Sequence, residues 1–235
     1  MARPADPHAR SALIAAARAE FAKAGIQKAR IEDITAACGL SKGAFYLHFD
    51  SKEALFGEVV AELQRALEQT RRSRNEAFRE LTRESKGRQF LERMAEFDAR
   101  EDRRLLDLLW AWRDVTAVLM RGAQGTEFDG VFWDTLDFEL ERIAAECAQL
   151  KTAGVVRGDV SGEVLGMMVV GTYLLVARRF AFAKAKPDFE ALVLMLQQTI
   201  SRGIAPPTRG ARVAPQRLSA RPAARVLSTK NGSRR

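Results

Sequence analysis

The residues with the clearest chemical potential lie close together in the first quarter of the chain, where basic, hydroxyl, aromatic and small side chains alternate. Lys42 and Lys52 carry charges that bind phosphate, and Tyr46 offers a hydroxyl to phosphate and a ring to a sugar. Gly43 permits close approach of another backbone, and the Ala44 methyl can meet a thymine methyl. This mixture is typical of a surface that contacts double-stranded DNA.

The same segment also contains G-x-S-x-G, the spacing of a hydrolase nucleophile elbow, with Ser41 at its centre. That elbow needs a β-strand before the serine and a helix after it, and no strand pattern precedes Ser41. Only His8 and His48 offer a general base, and His8 lies in a polar arm. Phosphate-binding glycine loops, metal-ligand spacings and paired carboxylates are not found. The sequence therefore predicts no catalytic site, no metal and no cofactor.

The net charge of +8 originates at the C-terminal end of the chain. Residues 203–235 carry eight Lys/Arg and no acid, whereas residues 1–55 sum to +2 and residues 56–202 to −2. The segment from Gly203 is rich in Pro, Arg, Ala and Ser and lacks an apolar period, which predicts disorder. The high charge is therefore not evidence that the folded part binds nucleic acid.

Helix-forming residues dominate the chain before residue 205, since four of the seven prolines follow it. Abundant Ala, Leu, Glu and Arg predict an all-α fold. The most apolar stretch, residues 164–177, is shorter than the roughly 20 residues that cross a bilayer, and no signal-peptide core follows Met1. Cys38 and Cys147 are expected to be buried core thiols. We therefore expect a cytoplasmic protein without membrane contact.

The elements that must position the polar segment follow a helix-turn-helix pattern. A helix that begins at Ser11 ends at Gly25, and a short helix over residues 31–38 precedes another that begins after Ser41. Gly39 supplies the left-handed backbone that a tight turn requires. The positions that must point inward are apolar: Ile34, Cys38, Leu40 and Phe45. The second short helix then presents its polar face to a major groove.

From Gly39 to Leu55 the sequence reads GLSKGAFYLHFDSKEAL, which resembles the GVSKGTLYYHFxSKExL signature of the tetracycline-repressor (TetR) family of bacterial regulators. The resemblance extends over about residues 9–60. It implies that the second short helix faces operator bases and phosphates, and that His48 and Lys52 face the DNA backbone. The predicted DNA-binding residues are Arg30, Ser41, Lys42, Gly43, Ala44, Tyr46, His48 and Lys52.

Two positions depart from the pattern of the resembled family. Arg30 stands where Thr or Ser usually caps the short helix; an arginine can bind phosphate but cannot cap. Thr35 replaces the usual small Ala, and its hydroxyl is expected to bond back to a helix carbonyl. Arg30 is therefore expected to shift DNA specificity relative to the resembled family.

The remaining chain predicts helices at residues 89–121, 127–153, 161–185 and 187–203, with 71–88 as an exposed helix end and connection. The resemblance implies an effector cavity at the centre of this bundle. The predicted lining combines apolar and aromatic side chains with one arginine to orient an acidic group: Trp110, Trp112, Arg113, Phe132, Trp133, Met167, Met168 and Tyr173. The plainer alternative is that these are core residues, with Arg113 paired to Asp114 or Glu139.

We therefore predict a three-helix helix-turn-helix DNA-binding domain at residues 1–56, a helical-bundle ligand-binding and dimerisation domain at 57–203, and a basic disordered tail at 204–235. The expected function is a ligand-responsive transcriptional regulator, a repressor that binds a palindromic operator as a homodimer and is released by a small-molecule effector. The last two helices are the dimerisation candidates, since two recognition helices must reach successive major grooves. The alternative is an architectural DNA-binding protein that uses its basic tail.

Overall fold

The structure is a computed structural model that describes residues 7–84, 87–121, 123 and 125–204. Within these ranges the chain forms nine helices and no strand, which confirms the all-α prediction. The helices are α1 Pro7–Lys28, α2 Ile31–Ala37, α3 Lys42–Tyr46, α4 Lys52–Glu84, α5 Gly87–Ala111, α6 Arg113–Arg121, α7 Val131–Thr152, α8 Gly162–Phe180 and α9 Phe189–Ile204. The predicted tail lies outside the described residues from position 205 onward.

Helices α1, α2 and α3 pack with the first turns of α4 around one apolar core. Phe21, Phe45 and Phe56 are fully buried there, and the rings of Phe21 and Phe56 meet edge to face at 5.0 Å. The same core continues into α6 through Val115 and Val118. The N-terminal helices are therefore seated directly on the rest of the bundle.

The turn between α2 and α3 has the predicted geometry. Gly39 adopts a left-handed backbone with φ of 70°, a conformation that a residue with a Cβ rarely adopts. Thr35 is buried, and its hydroxyl donates to the Glu32 carbonyl at 3.1 Å, as expected from the sequence. Arg30 occupies the N-cap of α2 without a capping hydrogen bond, which confirms that this position has lost its cap.

Residues 71–88 were predicted to be an exposed helix end and connection. The helix does end in this range and many of its side chains are exposed, but the connection was placed too early, because α4 continues without a break to Glu84. Phe78 and Leu81 are buried against Phe97 of α5 in a second core. The segment is rich in charge, but its few apolar residues lie on one face and meet α5. Helix α4 thus runs from the helix-turn-helix core into the bundle as one element of 33 residues.

The single helix predicted over residues 89–121 is divided at Trp112 into α5 and α6. Two guanidinium groups bond the carbonyls at this point: Arg113 donates to the Trp110 carbonyl and Arg18 of α1 to the Ala111 carbonyl, each at 2.8 Å. A side chain that bonds helix carbonyls is a recognised cause of a kink. The break is therefore made partly by a residue 93 positions away in the sequence.

Helices α7 and α8 approach closely because α8 carries glycines on the facing side. A Cβ added at Gly166 would lie 3.2 Å from the Leu140 carbonyl oxygen, and one at Gly162 would lie 3.1 Å from that of Ala144. Helix α8 ends at Phe180, before the predicted end at 185. This packing fixes α8 against one wall of the bundle and leaves its other side facing outward.

Candidate nucleic-acid interface and central cavity

The short helix α3 is positioned by one cap and one buried ring. The Ser41 hydroxyl accepts a hydrogen bond from the Ala44 backbone N–H at 3.1 Å, which closes the first turn. Phe45 is fully buried and fixes the inner face of α3. The opposite face is consequently presented outward, and Tyr46 on it is 50% exposed.

The eight predicted DNA-binding residues lie at the N-caps of α2 and α3, on α3 itself, in the loop after α3 and at the start of α4. The exposed members are Arg30, Ser41, Lys42, Gly43 and Tyr46, and the partly buried members are Ala44, His48 and Lys52. Exposed cationic, hydroxyl and aromatic groups around a short helix form a surface that fits a major groove.

Lys52 has an intramolecular role at this surface. Its Nζ donates to the carbonyl oxygens of Gln27 at 2.7 Å and Ala29 at 3.1 Å. These carbonyls end α1, and a cation beside the C-terminal end of a helix is favourable. Lys52 therefore fastens the end of α1 to the start of α4, and its charge contributes to the surface from a fixed position.

Lys42 is held by an acid that sequence reasoning did not consider. Its Nζ lies 2.7 Å from Glu32 Oε1 of α2, and the Arg30 Nε is 3.8 Å from the same carboxylate. The hydrogen bond from Lys42 lowers the pKa of Glu32, and the same bond raises the pKa of Lys42. A phosphate that binds Lys42 must therefore compete with Glu32.

Replacing Glu32 by Gln is expected to raise the affinity for non-specific duplex DNA about 3- to 10-fold. The plot of log affinity against log salt concentration is expected to become steeper by the amount that about one additional phosphate contact gives. The variant frees Lys42 and removes a negative charge from the side that faces phosphate. Fluorescence anisotropy with a labelled random duplex, at several salt concentrations, measures both effects. Glu76→Gln removes an equal charge from an exposed position on α4 and should change neither value. Unchanged affinity in Glu32→Gln would mean that Lys42 does not contact phosphate.

Sequence reasoning also passed over Leu47, which is 65% exposed beside Tyr46. A large apolar side chain in this position can meet the thymine methyl or the sugar edge. The signal was present, since Leu47 stands where the family signature has its second Tyr. The interface therefore presents two neighbouring large side chains, Tyr46 and Leu47.

The G-x-S-x-G match does not have the geometry of a nucleophile elbow. Ser41 follows helix α2 and its turn rather than a strand, and its hydroxyl is engaged in capping α3. Among the described residues, no group of His, Cys, Asp and Glu side chains has the arrangement of a metal site. Within the same residues, no helix is both long and apolar enough to cross a membrane. Cys147 is buried and Cys38 partly buried, and both thiols are free.

A central cavity of about 300 Å³ lies between the helices of the bundle. Three of the eight predicted lining residues, Trp112, Phe132 and Tyr173, line it. The other five lie elsewhere: Trp110 packs edge to face on Phe180, Arg113 lies over the Trp110 ring, and Trp133, Met167 and Met168 are exposed. Most of its surface is apolar, with side chains such as Leu63, Leu105 and Val170.

Arg113 has neither of the partners that the alternative interpretation gave it. Asp114 binds Arg18, with 2.7 Å between carboxylate and guanidinium, and Glu139 binds Arg71 at the same distance. Arg113 instead donates to the Trp110 carbonyl. It therefore stabilises the end of α5 rather than facing the cavity.

The cavity has a charged wall that sequence reasoning missed. Arg74 of α4 makes two hydrogen bonds of 2.8 Å to Glu146 of α7, and Arg142 joins Glu139 to Glu146 at 2.7 and 3.0 Å. Three more acids of α5 lie on the same wall: Asp98, Glu101 and Asp102. A signal existed, because these acids lie three and four residues apart, on the helix stripe that also carries Met94 and Leu105.

Burial shifts the pKa of two acids of α5, Asp98 and Asp102. Burial raises the pKa of Asp98 to about 7, and the nearby Glu146 carboxylate adds to the rise while Arg74 opposes it. Burial also raises the pKa of Asp102, against the hydrogen bonds it accepts from Tyr173 and Gln197. The cavity thus contains an acid that titrates near neutral pH.

Asp98→Asn is expected to raise the melting temperature at pH 8 by about 5 °C and to change it little at pH 5. Asp98 has a folded pKa of about 7 against an ordinary value of 3.8, so between these values the folded state holds the extra proton. The free energy of unfolding therefore falls as the pH rises through that window, and Asn removes the loss. Scanning calorimetry from pH 5 to 8 measures the effect, with the exposed Asp137→Asn as control. A variant less stable at pH 8 would show that the ionised Asp98 is stabilising.

Comparison with known proteins identifies the N-terminal domain. Residues 13–59 match the family described as bacterial regulatory proteins, tetR family. An uncharacterized HTH-type transcriptional regulator of Bacillus subtilis (strain 168), YerO, is 63% identical over 35 residues, which are 15% of this chain and 12% of that protein. The HTH-type transcriptional repressor DhaR of Mycobacterium sp. (strain GP1) is 44% identical over 50 residues, 21% of this chain and 25% of that repressor.

The similarity of fold extends over most of the chain, as a comparison with solved structures shows. The fatty acid degradation regulator FadR from Bacillus halodurans superposes with a TM-score of 0.62 at 20% identity, over 86% of this chain and 98% of that structure. At this identity the likeness concerns the fold alone, and the matched segments span no more than a quarter of the two curated relatives. The match to the bacterial TetR regulatory proteins thus covers the helix-turn-helix at residues 13–59, and over the rest of the described chain the likeness is one of fold.

Proposed function

We propose that this protein is a ligand-responsive repressor that binds a palindromic operator as a homodimer and is released by a small-molecule effector. The observation that carries the proposal is the geometry of α3. This helix is capped by Ser41 and fixed by the buried ring of Phe45, and its outer face presents Lys42, Gly43 and Tyr46. The central cavity supports the effector part of the proposal. The domain division at residues 56 and 57 belongs to the proposal, although α4 is continuous there.

An apolar surface on α8 and α9 supports the homodimer. The exposed large side chains of the two helices are Val164, Met167, Met168, Leu175, Leu194 and Met195, each between 49% and 67% exposed. An apolar patch of this kind on a chain of ordinary charge content is typical of a protein–protein interface. A second copy of the same surface is the partner we propose, because a palindromic operator requires two-fold symmetry.

The contacts of Arg18 support a route from the cavity to the DNA-binding helices. Arg18 of α1 binds Asp114 of α6 and the Ala111 carbonyl, and its guanidinium lies 4.3 Å from the centre of the Trp112 ring. Trp112 also lines the cavity. An effector that moves Trp112 therefore moves the residue on which α1 is fixed.

Arg18→Met is expected to abolish the response of Trp112 fluorescence to operator DNA while leaving DNA binding detectable. Coupling is reciprocal, so operator binding must perturb the cavity if the cavity perturbs the operator complex. The measurement uses a Trp110→Phe/Trp133→Phe background, in which Trp112 is the remaining tryptophan. Arg10→Met, which removes the α1–α4 ion pair with Glu58, should keep the response. No change of emission in the unmodified background at saturating operator would argue against this route.

Selection from random duplex DNA tests the function. The full chain and a chain ending at Ala205 are both expected to enrich the same palindrome, and the genomic site found then supplies the assay for effectors. The architectural alternative predicts sequence-independent binding that disappears with the tail. Enrichment of no sequence by either protein would overturn the proposed function.

A further inference from the structure

One buried acid of the cavity has a carboxylate that is incompletely bonded. Glu101 of α5 is 5% exposed, and its Oε1 accepts hydrogen bonds from Arg104 at 2.8 Å and Arg100 at 3.1 Å. Its other oxygen, Oε2, is buried without a hydrogen-bond partner in the described part of the chain. A buried carboxylate oxygen without a donor is costly. Because Glu101 lines the cavity, this oxygen is available to a donor that enters there.

The neighbouring carboxylates make the same wall rich in acceptors. Asp98 and Asp102 lie on the Glu101 face of α5 and also line the cavity. Asp102 accepts hydrogen bonds from Gln197 and Tyr173, which fixes its position. Three carboxylates at i, i+3 and i+4 place their charge on one helix face. An ammonium group, with three donors and one positive charge, fits this arrangement.

The arginines of the cavity are engaged elsewhere. Arg74 uses two N–H groups on Glu146, and Arg71 and Arg142 both bind Glu139. Five carboxylates and three guanidinium groups line the cavity in the described residues, so acids are in excess. A carboxylate or phosphate ligand would have to displace these pairs and would also meet the acids of α5, of which Glu101 is bound by Arg100 and Arg104 through one oxygen.

We propose that the effector is a small apolar molecule with a protonated amine, whose ammonium group binds Glu101 and its two neighbouring aspartates. Its hydrocarbon part lies along the apolar wall that includes Leu105, Trp112 and Phe132. A cavity of about 300 Å³ is at the small end of ligand pockets and favours a compact amine. This inference rests on the proposed function, since it names the ligand class of the same effector cavity.

Three probes with one hydrocarbon chain and different head groups test the inference: octylammonium, octan-1-ol and octanoate. Isothermal titration calorimetry on the full-length protein at pH 8 is expected to give a Kd for octylammonium at least tenfold below that for octan-1-ol. Octanoate is expected to bind more weakly than the alcohol. The alkyl chain is constant, so the differences report the charge of the wall rather than its apolar area.

The variant Glu101→Gln tests whether Glu101 causes the preference for octylammonium over octan-1-ol. The variant is expected to bind octan-1-ol as the unmodified protein does, which shows that the cavity is folded, and to lose most of the tenfold preference for octylammonium. Glu96→Gln, on the exposed side of the same helix, removes an equal charge and should keep the preference. Loss of the preference in both variants would overturn the assignment to the cavity wall.

The pH provides an independent readout. Octylammonium stays protonated between pH 6 and 8, as lysine does, so any change in its affinity belongs to the protein. Asp98 has a pKa of about 7 and faces Glu146, Arg74, Asp102, Glu101 and Tyr173. Its ionisation is expected to raise the affinity for octylammonium up to about tenfold from pH 6 to 8, with no change for octan-1-ol.

The outcomes separate this inference from the function on which it rests. Equal or tighter binding of octanoate would overturn the cationic effector and leave the cavity as an effector site. Failure of all three probes to bind would overturn both the cationic effector and the cavity's role. The selection of an operator from random DNA tests the proposed function separately, because that experiment requires no ligand.

Discussion

The double variant Lys42→Ala/Tyr46→Ala is expected to bind the selected operator about 1000-fold more weakly than the unmodified protein. Tyr46 is half exposed on the outer face of α3, and Lys42 begins that helix. Each specific contact in a major groove is worth about 1–3 kcal/mol, and a dimer loses each contact twice. Titration of a labelled operator by fluorescence anisotropy at constant salt measures the loss.

The structure gives this prediction a clean control. Neither side chain belongs to the buried core, which at this position is formed by Phe45 and Phe49, so the melting temperature should change little. Lys184→Ala/Trp133→Ala removes an exposed cation and an exposed aromatic ring far along the chain and should leave operator affinity unchanged. In the test variant, the plot of log affinity against log salt concentration should become shallower by the amount that about one lost phosphate contact per protomer gives. Full operator affinity in a folded test variant would refute recognition by α3.

The variant Met168→Glu/Leu175→Glu is expected to convert the protein to a monomer at micromolar concentration. Met168 is 60% and Leu175 64% exposed, and they lie on the same side of α8, about two helical turns apart. Two carboxylates on each copy of a two-fold interface place four like charges in an apolar contact, and their desolvation costs several kcal/mol. Analytical ultracentrifugation measures the mass directly.

Loss of the dimer is expected to reduce affinity for the palindrome about 100-fold or more, while affinity for a single half-site stays the same. The second half-site of a dimer binds at high effective concentration, and a monomer loses this advantage. Ala148→Glu/Gln149→Glu adds the same number of charges to the exposed part of α7 and should leave the dimer intact. A test variant that remains dimeric would locate the interface away from α8.

The DNA-binding surface was predictable because its determinants are local. The cap at Ser41, the turn at Gly39 and the buried ring of Phe45 all lie within a few residues of one another. Local hydrogen bonds and a short apolar pattern are enough to specify such a motif. The sequence did not predict that Glu32 holds Lys42, because a charge on an exposed helix face carries no sign of its partner.

The resemblance to the TetR family predicted a central cavity, but the sequence did not predict most of the residues that line it. Sequence reasoning searched for aromatic residues and found Trp112, Phe132 and Tyr173. It overlooked the acids of α5 and the arginines of α4, because charged residues are ordinarily assigned to the surface. Arg71 was placed in a connecting segment, yet it binds Glu139, 68 positions away, inside the bundle.

By itself the sequence determined the all-α class, the helix-turn-helix and the outward side chains of α3, since helix propensity, caps and turn glycines act over a few residues. Only the tertiary structure decided the break at Trp112, the charged wall of the cavity and the exposed apolar side of α8. Each of these depends on which helices meet, and the break depends on Arg18 bonding a carbonyl of α5. Such contacts join residues far apart in the chain, and their energies arise only when packing brings the partners together and removes water from between them.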